Sequence, residues 1–160
     1  MSAQRLAIIS THGSLDAAYP PFILATAAVA MDMEAGIFFT FYGLEILKKG
    51  NIDKLQVSPI ANPAMPQPVP GISVPNILGV LPGMTAVATN MMNGWMKKAN
   101  VAKLSELLEM SLEMDVRLIA CQMSMDVMGI KKEDLIDGIE VAGAAAFLKY
   151  ASENAIVLSF

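Results

Sequence analysis

The chain has 160 residues, a formal net charge of −4, 54% hydrophobic and 16% charged residues, one cysteine and one histidine. Its acidic balance, with its adjacent lysines in isolated pairs (Lys48-Lys49, Lys97-Lys98, Lys131-Lys132) rather than a basic stripe, argues against a nucleic-acid surface, whose affinity comes from neutralising phosphates. A single cysteine excludes an intrachain disulfide framework, and a zinc site built on Cys121 and His12 would need carboxylates alone to complete it, so no metal and no cofactor is expected.

In chain order, Arg5 to Ser10 reads as a short strand, followed by the turn Thr11-His12-Gly13-Ser14. Ser14 is a candidate N-cap for a helix running toward Met31, with Asp16 complementing its dipole and Pro20-Pro21 disturbing its start. The stretch Ala17 to Met31, bounded by Asp16 and Asp32, falls short of the roughly 20 apolar residues a helix needs to span a bilayer. Leu6 to Ile9 is too short for a signal-peptide core. No transmembrane segment and a cytoplasmic location are therefore expected. Glu34 to Phe41 is the second strand, and Tyr42 to Gly50 a short helix ending in cations and glycine.

Seven of the nine prolines lie between Asn51 and Gly83: Pro59, Pro63, Pro66, Pro68, Pro70, Pro75 and Pro82. Such a segment is neither regular helix nor central strand, and its scattered apolar residues suggest a loop that packs over the site edge or a neighbouring subunit. Met84, Val87, Ala88, Met91, Met92, Trp95 and Met96 then follow one helical face. Ala102 to Met114 is a further helix, with Leu104, Leu107 and Leu108 inward and Glu106, Glu109 and Glu113 toward water. Val116 to Ala120 is an apolar run ending at Cys121, and Gln122 to Gly129 a short helix closed by glycine. A helical turn at Lys131 to Asp134, a short strand at Ile139 to Val141, a helix from Ala142 to Ser152 and a strand from Ala155 to Phe160 complete one domain. Strands alternating with helices indicate an α/β fold: a three-layer α/β/α sandwich around a mostly parallel sheet of about five strands. The mean hydropathy of +0.50 fits a sheet buried on both faces and a homo-oligomeric interface.

A thiol on a strand-to-helix turn lies where unpaired helix N–H groups stabilise a thiolate; the competing reading is a small buried hydrophobe. His12 lies on the turn after the first strand, the same sheet edge as Cys121 in a parallel sheet, and is either a base for the thiol or a solvent-facing side chain. Gly13 and Ser14 offer backbone N–H groups at a helix start, an anion cradle without the spacing of a nucleotide loop. Gln122 is a candidate for orienting a bound sulfur. The 13 methionines admit a soft-metal reading beside core or interface packing.

The turn Gly13-Ser14, the run Phe38-Phe39-Thr40-Phe41-Tyr42-Gly43-Leu44, the Pro-rich insert at 51–83, the segment from Leu118 through Cys121 to Gly129, and the C-terminal Gly-Ala helix and strand together resemble the DsrE/DsrF/DsrH-like family. The closest likeness is to its DsrE-like, peroxiredoxin-like branch. The resemblance spans nearly the whole chain, residues 1–160. It implies a sulfur carrier or sulfurtransferase that holds sulfane sulfur as a persulfide on Cys121 and relays it to a partner such as a TusA-like carrier or a rhodanese, within a homo- or hetero-oligomer. Where some members of the branch hold a second C-terminal cysteine, this chain offers only Ser152 and Ser159, which counts against an intramolecular relay. The alternatives are a small-ligand or nucleotide-binding regulatory module, or a non-catalytic assembly subunit, each with a structural cysteine.

Overall fold

The computed structural model describes residues 4–58 and 81–160. Five strands, β1 (Arg5–Ser10), β2 (Glu34–Phe39), β3 (Arg117–Cys121), β4 (Glu140–Ala142) and β5 (Ala155–Ser159), form one sheet in the order β4-β3-β2-β1-β5. Every pairing is parallel. The chain steps outward from β1 to β4, then crosses back to place β5 on the other side of β1. A reversal of this kind, with right-handed crossovers, puts helices on both faces.

The two faces are covered unequally. On the first lie α1 (Leu15–Ala30), α2 (Met84–Lys98), α3 (Leu104–Glu113) and α4 (Gln122–Met128). There Leu6, Ile8, Ile37, Phe39 and Leu118 meet Phe22, Ala25, Leu104, Leu108 and Met125 in the main core. On the second face, among the described residues, lies only α5 (Ala144–Ala151), whose Phe147 and Tyr150 pack with Ala7, Phe38, Ile119 and Cys121. Val157, on that face by its pairing with Ala7, stays half exposed. Among the described residues no helix is long and apolar enough to cross a membrane.

Helix α1 forms despite Pro20 and Pro21 in its interior. Each proline removes a hydrogen bond and disfavours the helix by about 3 kcal/mol. Burial of Leu15, Ala18, Pro21, Phe22, Ala25 and Ala28 along one stripe offsets this. Ser14 takes the N-cap position in extended backbone without a side-chain cap bond. Instead the Leu15 N–H donates to the Gln56 carbonyl at 2.8 Å, and the Asp16 carboxylate accepts from the Ser58 N–H at 3.1 Å.

Several elements differ in extent from the sequence reading. Strand β2 stops at Phe39, because Phe41 turns into the left-handed region (φ 47°) and Phe41–Leu47 continues as a 3-10 helix rather than an α-helix. The stripe on α2 is at most half-buried; the one buried residue of the helix is Thr89, outside that stripe, its hydroxyl accepting from the Val57 N–H at 3.1 Å. The prolines from Pro59 to Pro75 lie outside the described residues, and with them the expected packing of that loop over the site.

Two glycines lock the loops after β1 and β2 together. A Cβ on Gly43 would stand 2.3 Å from the Ser10 carbonyl oxygen, and one on Gly13 would stand 2.3 Å from that of Tyr42. The Gly43 N–H also reaches the Thr11 and Thr40 carbonyls at 3.2 and 3.0 Å. Backbone cannot yield as a side-chain tip can. Gly43→Ala should therefore lower the unfolding free energy by about 1–3 kcal/mol. Gly94→Ala, inside α2 with open space around it, should raise it by roughly 0.5–1 kcal/mol. Urea titration of the two variants checks the contrast.

Candidate functional site

Cys121 is the last residue of β3 and the N-cap of α4. The apolar run that ends there is continuous because β3 lies inside the sheet between β2 and β4, and Gly129, in the left-handed conformation (φ 66°), closes the seven-residue α4. Alternation along β3 decides where the thiol points. Arg117, Ile119 and Cys121 share the α5 face, while Leu118 and Ala120 enter the main core. The side chain makes no cap hydrogen bond to α4. It is buried, with 3% exposure, in the small cluster beneath α5.

Helix α5 is held on this face by two aromatic side chains. Phe147 stacks on Phe38 at 4.9 Å between ring centroids. Tyr150 lies between the guanidinium groups of Arg5 and Arg117, at 5.2 and 5.0 Å from its ring centroid, and rests where Gly36 leaves room. Arg5 is ion-paired with Glu34 and Glu153, and Arg117 with Glu140 at 2.8 Å. The sequence reading did not single out Phe147 or Tyr150. The i, i+3 spacing of Phe147 and Tyr150 on an otherwise Ala-rich helix was the available signal.

The other candidates are placed as follows. His12 is exposed, its Nδ1 2.8 Å from the Thr11 hydroxyl. Strand β2 separates its strand from β3, so their ends lie about 10 Å apart at the usual strand spacing, and His12 makes no hydrogen bond to Cys121. Gly13 and Ser14 belong to the same loop, where Gly13 packs on the Tyr42 carbonyl. Gln122 is exposed and donates to the Asp126 carboxylate at 2.8 Å. The Thr40 and Ser124 hydroxyls lie 2.8 Å apart, joining the end of β2 to the first turn of α4. Around that bridge Phe41, Tyr42, Met123 and Val127 are exposed. The crevice between β1 and β5, where the strand order reverses, is closed by Phe160, whose carbonyl accepts from the Thr11 N–H and hydroxyl. Among the described residues no group of three His, Cys, Asp or Glu side chains is arranged to hold a metal.

A parallel, doubly wound α/β domain with a single cysteine closing an inner strand defines the class to which this chain belongs. The model of the DsrE/DsrF/DrsH-like family matches residues 2–159, and the chain is a member of that family. It is 49% identical to the sulfur carrier protein DsrE2 of Allochromatium vinosum over 159 residues, 99% of each chain. It is also 35% identical to the uncharacterized protein YrkE of Bacillus subtilis, over 97% of this chain and 96% of that one. Two solved structures share the fold: the ychN protein from E. coli (TM-score 0.56, 13% identity, 98% of this chain and 99% of that one) and the protein of unknown function MTH1491 from Methanobacterium thermoautotrophicum (TM-score 0.54, 10% identity, with the same coverage).

Burial holds the Tyr150 phenol above its ordinary pKa of 10.0, with Glu34 adding to the shift and Arg5 and Arg117 opposing it. The folded state thus keeps this proton more tightly than the unfolded chain. The associated stabilisation is complete below the ordinary value and is lost as pH rises through the folded one. Urea midpoints should fall from about pH 10 upward. They should fall less steeply in Tyr150→Phe, with Tyr19, also raised by burial, supplying part of the remainder.

Proposed function

We propose that this protein is a cytoplasmic sulfur carrier that holds sulfane sulfur as a persulfide on Cys121 and hands it to a second protein. One observation carries the reading: a chain with a single cysteine, at the β3–α4 junction, is 49% identical along its length to a protein named as a sulfur carrier. The step needs no external oxidant or reductant. The Cys121 thiolate attacks the outer sulfur of a donor persulfide; a new S–S bond forms at Cys121, the donor's S–S bond breaks, and the donor leaves as a thiolate. The outer sulfur keeps its proton, and delivery to an acceptor thiolate is the same exchange in reverse. With no second cysteine in the chain, release requires a partner thiol, such as that of a TusA-like carrier or a rhodanese. The exposed Phe41, Tyr42, Met123 and Val127 give such a partner an apolar footing at the same sheet edge.

The reading includes self-association through α2. Met84, Met91, Met92, Trp95 and Met96 are only half-buried along one side of that helix and Val87 is half exposed, which suits a contact with a second copy. Sedimentation should show an oligomer at micromolar concentration; a monomer of 17.1 kDa would contradict this part.

Intact-mass analysis after exposure to polysulfide, or to thiosulfate with a rhodanese, tests the carrier role. The protein should gain the mass of one sulfur atom, reversed by reductant and mapped to Cys121. Cys121→Ser should stay folded and gain nothing. Loading of the Ser variant, or none in the native protein after the thiol has been shown to react, would contradict the proposal.

A further inference from the structure

A persulfide carrier needs its thiol reachable, yet Cys121 is 3% exposed, in a cluster closed on its outer side by α5. The surroundings that could move to expose it differ greatly in how firmly they are held. Strand β3 is paired on both edges, and α4 is tied to β2 through Thr40 and Ser124 and buries Met125 in the main core. Helix α5 has 8 residues, too few to hold a helix without tertiary contacts, and its outward side carries the exposed Ala144, Ala145, Leu148 and Lys149. It begins at Gly143, where even an added Cβ would meet nothing within 4 Å, and its N-cap supplies no side-chain bond. Among the described residues its attachment to the sheet rests on the Phe147–Phe38 stack, on Tyr150 between Arg5 and Arg117, and on the Tyr150 hydroxyl donating to the Leu6 carbonyl at 3.5 Å. A segment fixed by so few groups opens locally before the rest of the domain unfolds.

We propose that α5 is a lid over Cys121, hinged at Gly143, and that sulfur on the thiol holds it open. The inference rests on the reading of Cys121 as the sulfur-bearing residue. A second sulfur extends the side chain by an S–S bond of about 2.05 Å. A close-packed cluster does not absorb an added heavy atom without displacing its neighbours. Loading therefore favours the lifted state, and by linkage any contact that lifts α5 favours loading. The same coupling gives an acceptor a means of telling loaded from empty carrier: the position of a helix on the protein surface. Phe147 and Tyr150 act as positioning residues, setting how often the thiol is reached.

The test compares α5 in empty and modified full-length protein. Methyl methanethiosulfonate places a group of persulfide-like size on a thiol whether or not the protein is a sulfur carrier. Modified protein should show at least tenfold faster amide hydrogen exchange across 144–151 than empty protein, with exchange in β1 and β2 unchanged. Phe147→Ala should raise the rate of Cys121 modification tenfold or more; Arg117→Gln, which loosens one side of the Tyr150 clamp and leaves the core intact, should raise it by a smaller factor in the same direction. Unchanged exchange in α5 after modification would overturn the lid. So would native Cys121 reacting at the rate of an unstructured thiol, or Arg117→Gln protein that is folded and reacts no faster than native. If the thiosulfonate opens α5 while polysulfide adds no sulfur, the lid stands and the carrier reading fails.

Discussion

An all-parallel sheet has two apolar faces to bury, and in this chain they are buried by very different amounts of structure. Among the described residues four helices cover one face and a single 8-residue helix covers the other. The main core supplies most of the burial and hence of the stability, since buried apolar area is the dominant favourable term. That leaves the second face free to be thin. Strand alternation then does the rest: because Leu118 and Ala120 face the main core, Cys121 must face α5. A register one residue different would have placed the thiol in the main core, where no small rearrangement could expose it.

The platform on which the thiol stands is rigid for reasons that are equally local. Gly13 and Gly43 bring the loops after β1 and β2 into backbone contact, and the Thr40–Ser124 hydroxyl pair carries that rigidity to the start of α4. Phe41, held at φ 47°, is part of the same construction. A bulky residue in the left-handed region is strained and persists only where its surroundings dictate it. The bonds from the Gly43 N–H to Thr11 and Thr40 are those surroundings. These contacts give the thiol a defined position at the β3–α4 junction.

The fold was legible in the sequence because the apolar runs are long and well punctuated. Leu118 to Ala120 and Ile37 to Phe39 are continuous because their strands are inside the sheet, and Gly129 marks the end of α4 where a left-handed residue is needed. The junction at Cys121 followed from the same pattern. What periodicity could not supply was the strand order: β2 between His12 and Cys121 is a fact of topology, absent from any local window. The end of β2 was set two residues too late, because Phe41 is a strong strand former whose turn is imposed by Gly43. Phe147 and Tyr150 were hidden for a related reason, since α5 is Ala-rich and their packing depends on what lies beneath them.

The central claim is that sulfur rests on Cys121 and moves on to another thiol. Radiolabelled sulfane sulfur loaded onto the protein, freed of donor and mixed in a single turnover with an acceptor bearing one reactive cysteine, tests this most directly. The account predicts that label leaves Cys121 and arrives on the acceptor thiol in equal amount, with no disulfide formed between the two proteins at completion. Label that stays on this protein, or that is lost to solution as free sulfide without reaching the acceptor, would contradict it.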